Sequence, residues 1–206
     1  MPDPAESNTD FLIEKNRLEA LVDGIFAFAM TLLVTSMILP RGAITTPDAE
    51  RALLSMLPDF YHYLFGFFVL AAFWIAHHEQ FRKIHHVDRI MLTLNIISLF
   101  LVTMVPFSTS FIGDYSSDPV ATILFEFNLL ILGLMMTLQW FYSTRNRYLV
   151  KEGHTETEIK MRMYHGMVVP VVSAIAILSV LAGFQSSTVL YMTIPVIEYG
   201  LDHVLK

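Results

Sequence analysis

Cysteine is absent from this 206-residue chain, which excludes disulfide staples and thiolate metal sites. Charge is scarce as well: Asp, Glu, Lys and Arg make up 16% of residues, and a formal balance of −6 leaves no basic patch for nucleic acid, so no nucleic-acid partner is expected. There is no glycine-rich phosphate loop, no nucleophile–base arrangement and no paired acid–base motif, so neither hydrolytic chemistry nor ATP-driven transport has residues to work with. Internal repeats and low-complexity tracts are missing. The N-terminus, MPDPAESNTD, is acidic where a secretory leader is basic. The small-residue run Ala27-Phe28-Ala29 lies mid-way along an apolar stretch, so that stretch is expected to be retained rather than cleaved.

What the chain does have is apolar bulk. Hydrophobic residues make up 54%, with sixteen Phe and twelve Met, and the mean hydropathy is +0.55. A membrane crossing needs about 20 mostly apolar residues. Six segments qualify: 18–39, 60–80, 88–112, 119–142, 163–184 and 187–204, the last being the shortest. The expected architecture is an all-α membrane protein of six transmembrane helices, one domain over 1–206 with residues 1–10 disordered. If the N-terminus is cytoplasmic, Lys15, Arg17, Arg82, Lys83, Arg89, Arg145, Arg147, Lys151, Lys160, Arg162 and Lys206 all fall inside, and only Arg41 and Arg51 outside. The excess of positive charge in the inner loops therefore predicts six spans with both termini cytoplasmic. Asp48, Glu50, Asp59, Asp114 and Asp118 populate the outer loops, as an entrance that concentrates cations or as ordinary solvated turns.

Turn residues divide the chain. Pro40-Arg41-Gly42 ends the first helix, 41–58 is the longest outer loop, and Pro58 is placed to open the second helix. The link EQFRKIHHVDR reads as a helical extension, Gly113 to Pro119 as a tight outer turn, and Gly153 as a break in the cytoplasmic link 143–162. Pro106, Pro170 and Pro195 fall in or near spans as potential kinks.

The most informative stretch is Arg17 to Val34, RLEALVDGIFAFAMTLLV. Projected at about 100° per residue, Arg17, Leu21, Gly24, Phe28, Thr31 and Thr35 share one narrow stripe. Copies of this helix around an axis would present a basic mouth, an aromatic neck at Phe28 that gates by dewetting, and hydroxyl oxygens at Thr31 and Thr35 for a passing cation. Periodicity alone favours the plainer reading, threonines bonded to their own helix and a phenylalanine used as packing. Asp23 lies about a quarter-turn from the stripe. An unpaired carboxylate at membrane depth costs roughly 2.5–3.5 kcal/mol on insertion scales, so a clasp to a neighbouring helix is expected, with Arg17, His77, His78 and Asn95 as candidate partners.

These residues resemble the prokaryotic relatives of the endolysosomal potassium channel. That family's first-helix signature is Arg, three variable residues and Phe-Ser-Asp, followed by Gly, aliphatic, Phe, Ala, aliphatic, Ala, aliphatic and Thr-Leu-Leu-Val. Arg17, Asp23, Gly24, Phe26, Ala27, Ala29, Thr31, Leu32, Leu33 and Val34 match it, joined by Phe73-Trp74-Ile75-Ala76-His77-His78, Phe81, Asp88, Asn95 and Pro106-Phe107-Ser108-Thr109. The resemblance covers about the first 110 residues. It implies six helices per subunit, a homotetramer in the cell membrane contacting lipid, and a passive potassium-preferring cation channel. It implies no cofactor other than the permeant potassium ion, no enzyme activity, and a pore lined by the first helix without a carbonyl filter; no TVGYG-like segment is present. It also implies that Arg17, Asp23, Trp74, His77 and Asn95 hold the first helix against its neighbours. Two positions depart from the pattern. Phe-Ser-Asp is Leu21-Val22-Asp23 here, so the serine hydroxyl is gone, and the aliphatic neck position is Phe28, whose ring either closes the pore or tilts away to leave Thr31 or Leu32 narrowest.

Two other functions compete. His77-His78 and His85-His86 could serve a metal or haem redox enzyme, with His62, His165 and His203 as the only imidazoles that the other helices offer. Asp23 and Glu126 could couple a secondary transporter to protons, although no two-fold repeat supports that. Glu126 alternatively bonds His62 or Asn128.

Overall fold

The computed structural model describes residues 15–35, 46–115, 117–145, 149–150, 153, 155–184 and 186–204. The helices follow in the order α1 (Lys15–Thr35), α2 (Thr46–Ser55), α3 (Leu57–Lys83), α4 (Arg89–Asp114), α5 (Pro119–Arg145), α6 (Glu156–Leu181), a 3-10 helix (Ser187–Thr193) and α7 (Ile194–Val204). Among the described residues there is no strand. Five helices, α1 and α3 to α6, have the length and apolar character to cross a membrane. At 1.5 Å per residue they are about 30–40 Å long.

The first five expected spans are therefore present as helices, and the sixth differs. Residues 187–204 are not one helix but a 3-10 helix joined to the 11-residue α7. The run STVLYMT is rich in β-branched and hydroxyl residues, which favour the α-helix least. Pro195 has no N–H to donate to a preceding turn, so it fits the first turn of α7, where that N–H would be unpaired in any case. The segment nevertheless returns along α6. Tyr191 donates to Ser173 Oγ at 2.9 Å, and His165 Nε2 lies 3.2 Å from Asp202 Oδ1, so rising numbers in one element meet falling numbers in the other.

Contacts at one end of the bundle establish the up-and-down order. Lys15 Nζ donates to Ile84 O at 3.0 Å, and His85 N donates to Leu149 O at 2.7 Å. Asp88 caps α4 through the Met91 amide at 2.8 Å while accepting from Tyr142 on α5 at 2.6 Å. Arg162 on α6 reaches Glu79 Oε2 at 3.0 Å and Ala76 O at 2.8 Å on α3. The start of α1, the end of α3, the start of α4, the end of α5 and the start of α6 thus share one end, where most of the described basic residues gather. Arg41, Arg147, Lys151 and Lys206, also used in the charge tally, lie outside the described residues, as do 1–10 and the Pro40-Arg41-Gly42 helix end.

Local expectations are met unevenly. Pro58 sits in the first turn of α3, and Gly153, with φ of 98°, breaks the link before a Thr155/Glu158 capping box starts α6. The link EQFRKIHHVDR stops being helical at Lys83: Ile84 makes an antiparallel bridge with Val150, and Asp88 restarts the ladder. Part of the outer segment 41–58 is not loop but the helix α2.

Small residues let α5 and α6 approach closely, as membrane helices require. Pro170 lacks the N–H that would bond Gly166 O in a regular helix. Thr137 Oγ1, across the interface, lies 2.7 Å from that carbonyl and 2.9 Å from Gly133 O, so its hydroxyl proton satisfies an acceptor the proline orphaned. A Cβ on Gly133 would stand 2.8 Å from Pro170 Cδ, part of a rigid ring that cannot turn aside. Gly133→Ala is expected to destabilise the subunit by about 1–3 kcal/mol through overpacking. Thermal unfolding in detergent checks this, with Gly24→Ala as the control that leaves the melting point in place, because nothing in its chain lies within 4 Å.

Candidate functional site

α1 is two-faced. Leu18, Val22, Phe26, Ala29 and Leu33 are buried, spaced as one helical face, and pack onto α3 and α4. The stripe Arg17, Leu21, Gly24, Phe28, Thr31 and Thr35 is exposed along its whole length. Phe28 is 62% exposed, against 2% for Phe26 two positions earlier. Nothing in the chain lies within 4 Å of a Cβ placed on Gly24. Leu32 sits between the two faces, half-buried.

The threonine hydroxyls are oriented by the helix itself. Thr31 Oγ1 donates to Phe28 O at 2.8 Å and Thr35 Oγ1 to Leu32 O at 2.7 Å. Spending the proton on the backbone leaves each oxygen only its lone pairs to present outward. Internal bonding and a cation-facing oxygen, alternatives on sequence alone, are therefore compatible in one geometry.

Among the described residues, Asp23 has one hydrogen-bond partner. Trp74 Nε1 donates to Asp23 Oδ1 at 2.8 Å, tying α1 to α3, and the Trp74 ring stacks on His78 at 6.0 Å. The remaining expected members divide. His77 Nε2 lies 3.1 Å from Asn95 Oδ1; an amide oxygen cannot donate, so the imidazole nitrogen carries the proton. Asn95 Nδ2 donates to Gln139 Oε1 at 3.1 Å, and Gln139 Nε2 donates to Ser98 Oγ at 2.5 Å. This chain crosses α3, α4 and α5 with Asn95 and Gln139 fully buried. Arg17, His77 and Asn95 do not bond Asp23. Arg17 stands six positions away, about 120° around the helix, and has no bonded partner among the described residues. Val22, where the family pattern has serine, is buried in the core, so Asp23 gains no neighbouring hydroxyl there.

Gln139 and Ser98 were missed by sequence reasoning, and Tyr142, which fits an interfacial aromatic belt on sequence, instead donates to Asp88. Gln139 carried a usable signal, since a polar amide inside an apolar span needs a partner for the same reason as Asp23. The Asp23–Trp74 contact is expected to show in a double-mutant cycle of Asp23→Ala and Trp74→Phe. Unfolding midpoints should be non-additive by about 1 kcal/mol, reduced from a buried charged bond by its exposure.

The competing site residues are engaged otherwise. Ser187 donates to Glu126 Oε1, whereas His62 Nδ1 is paired with Pro58 O at 2.8 Å and Asn128 Nδ2 with Ser108 Oγ at 3.2 Å, so Glu126 bonds neither expected partner. His85 Nδ1 faces His86 Nε2 at 2.6 Å, His165 faces Asp202, and His203 Nδ1 bonds Tyr199 O at 3.0 Å. Each of these histidines is engaged by a protein partner, His165 across α6 and α7 and the others within their own link or helix, and among the described residues no two pair with each other across spans as haem ligation requires.

Residues 17–106 match the family described as endosomal/lysosomal potassium channel TMEM175. A potassium channel of Streptomyces collinus is 30% identical over 140 residues, 66% of this chain and 68% of its own length. A potassium channel of Chamaesiphon minutus is 35% identical over 111 residues, 53% of this chain, and that alignment spans 55% of the relative's own length. The fold likeness extends further. The crystal structure of a lysosomal potassium-selective channel homologue from Chamaesiphon minutus aligns with a TM-score of 0.73 at 24% identity, covering 93% of this chain and 98% of that one.

Proposed function

Since this chain belongs to the TMEM175 family of ion channels and is a multi-pass membrane protein, not an enzyme, we propose that it forms a passive, potassium-preferring cation channel in the cell membrane. One transmembrane unit per subunit assembles as a homotetramer, with both termini cytoplasmic and the 3-10 helix and α7 together serving as the sixth crossing. Four copies of α1 line the pore. Phe28 forms the apolar neck, Leu32 flanks it, Gly24 leaves the approach wide, and Thr31 and Thr35 offer oxygens to the partly dehydrated ion. Asp23 and Trp74 hold α1 at its exposed edge, while His77 and Asn95 stiffen the bundle behind it. Arg17 stands at the cytoplasmic mouth.

The observation that carries this reading is the bare stripe on α1: six residues at helical spacing, including a phenylalanine and two threonines, that the subunit itself leaves uncovered. A helix packed only to hold the bundle together has no reason to expose this mixed face, and lipid offers nothing to a threonine oxygen. The histidine redox and proton-coupled readings gain no comparable support. The test is a reversal-potential measurement in planar bilayers with potassium on one side and sodium on the other. The reading requires an ohmic current that reverses on the potassium-selective side of zero. Saturable flux locked to a proton gradient overturns it.

A further inference from the structure

We propose that Lys83, one of two cations set against Trp140 at the basic end of the bundle, binds the phosphate of an anionic phospholipid together with the adjacent Arg82. Trp140 is 2% exposed, and its Nε1 donates to Ile159 O at 3.1 Å, which locks the ring between helices. Two cations approach that one ring from different helices: Lys83 Nζ lies 6.0 Å from its centroid and the Arg162 guanidinium 5.8 Å. Their charged groups are therefore at most about 12 Å apart (6.0 plus 5.8 Å).

The two cations are not equivalent. Arg162 is paired with Glu79 Oε2 and Ala76 O, so it is both neutralised and spent on joining α6 to α3. Lys83 is half-buried and has no carboxylate within ion-pair distance among the described residues. Arg162 and Arg82 repel it, while Glu158 and Glu79 attract it only at longer range. Arg82 beside it is exposed and also lacks a carboxylate among the described residues. The carbonyl beyond Lys83, Ile84 O, is already satisfied by Lys15, so no helix-end role accounts for Lys83. Two neighbouring cations without paired carboxylates, held where a spanning helix leaves the apolar layer, lack an anion that a headgroup phosphate supplies.

The surface below them favours a lipid over free phosphate. Glu79, Ala76, Ala72 and Phe68 follow Lys83 along one exposed face of α3 at three- and four-residue spacing, and Phe68 is 65% exposed. Beyond Glu79 this face is an apolar strip on which an acyl chain can lie while its phosphate meets Lys83 and Arg82.

The experiment titrates detergent-purified, delipidated protein with dioctanoyl phosphatidylglycerol, the corresponding phosphatidylcholine and inorganic phosphate, reading thermal unfolding and bound lipid by native mass spectrometry. Phosphatidylglycerol is expected to bind and raise the melting point, with the other two ineffective. Lys83→Gln and, separately, Arg82→Gln at an exposed position should each weaken binding at least fivefold, whereas Lys160→Gln, an exposed lysine at the same end, should change it less than twofold. Equal losses in all three variants would mean a diffuse surface potential and overturn the site. Equal stabilisation by inorganic phosphate, or binding untouched in both Lys83→Gln and Arg82→Gln, overturns it too. Because conduction is not read, failure here leaves the channel assignment standing.

Discussion

Phe28→Ala is expected to raise potassium flux through reconstituted protein by about tenfold, equivalent to removing roughly 1.4 kcal/mol from the permeation barrier. The reasoning is steric and solvational. Phe28 is 62% exposed on the stripe of α1, and in the proposed tetramer its ring would project toward the axis. Four such rings would form a constriction that water leaves readily, and an ion crossing a dewetted neck loses hydration without gaining ligands. Alanine removes the rings and lets water fill the gap, after which Thr31 and Thr35 remain as the polar lining. Selectivity for potassium over sodium should fall as conductance rises, because a wider hydrated neck strips less water from either ion. Phe100→Ala is the matched control: on α4 it is also 62% exposed, but outside the stripe, and its loss should leave flux within about twofold of the parent. Stopped-flow or liposome flux measurements decide the matter, and an unchanged rate in Phe28→Ala ends the neck assignment.

Asn95→Leu is expected to be among the most damaging single substitutions to stability. Asn95 is fully buried and serves two partners at once, accepting from His77 and donating to Gln139. Leucine fills much of the volume but leaves an imidazole N–H and an amide oxygen unpaired in an apolar interior. Each orphaned group costs about 1–3 kcal/mol, so the sum is about 2–6 kcal/mol, a large share of the stability of any single domain. Thermal melting in detergent should drop and the yield of folded protein should fall with it. Gln139→Leu tests the same chain from α5. If the two act through one network, the double variant loses clearly less than the sum of the singles, because the second substitution removes a group the first had already orphaned. Strict additivity would show that the buried bonds do not act as a unit.

These two residues show how legibility differed. Phe28 was assigned to its stripe from periodicity, because a straight helix with a 3.6-residue repeat puts 17, 21, 24, 28, 31 and 35 on one side whatever surrounds it. Asn95 was expected to meet Asp23, as a polar group at membrane depth and through the family resemblance, but its partners are His77, 18 residues away, and Gln139, 44 residues away, each on another helix. Nothing local in either segment encodes that pairing. Arg17 marks the opposite failure. Its charge made it an attractive partner for Asp23, but the helical phase that places it on the stripe also turns it away from the aspartate. The broken sixth segment was missed for a related reason: its apolar content satisfies a length criterion, while the run of β-branched residues before Pro195 decides whether those residues can form one helix.

Apolar runs, charge asymmetry and the first-helix string were enough, without coordinates, to establish a helical membrane protein, its family and the exposed pole of α1. These are properties of composition and of short-range helical phase, which survive any packing arrangement. Tertiary structure alone decided that Trp74 rather than Arg17 clasps Asp23, that His77, Asn95, Gln139 and Ser98 form one buried chain, that Thr137 satisfies the carbonyl freed by Pro170, and that Ser187 meets Glu126. Each of these joins groups from helices distant in sequence, and only the relative shift and rotation of packed helices brings a given donor within reach of a given acceptor.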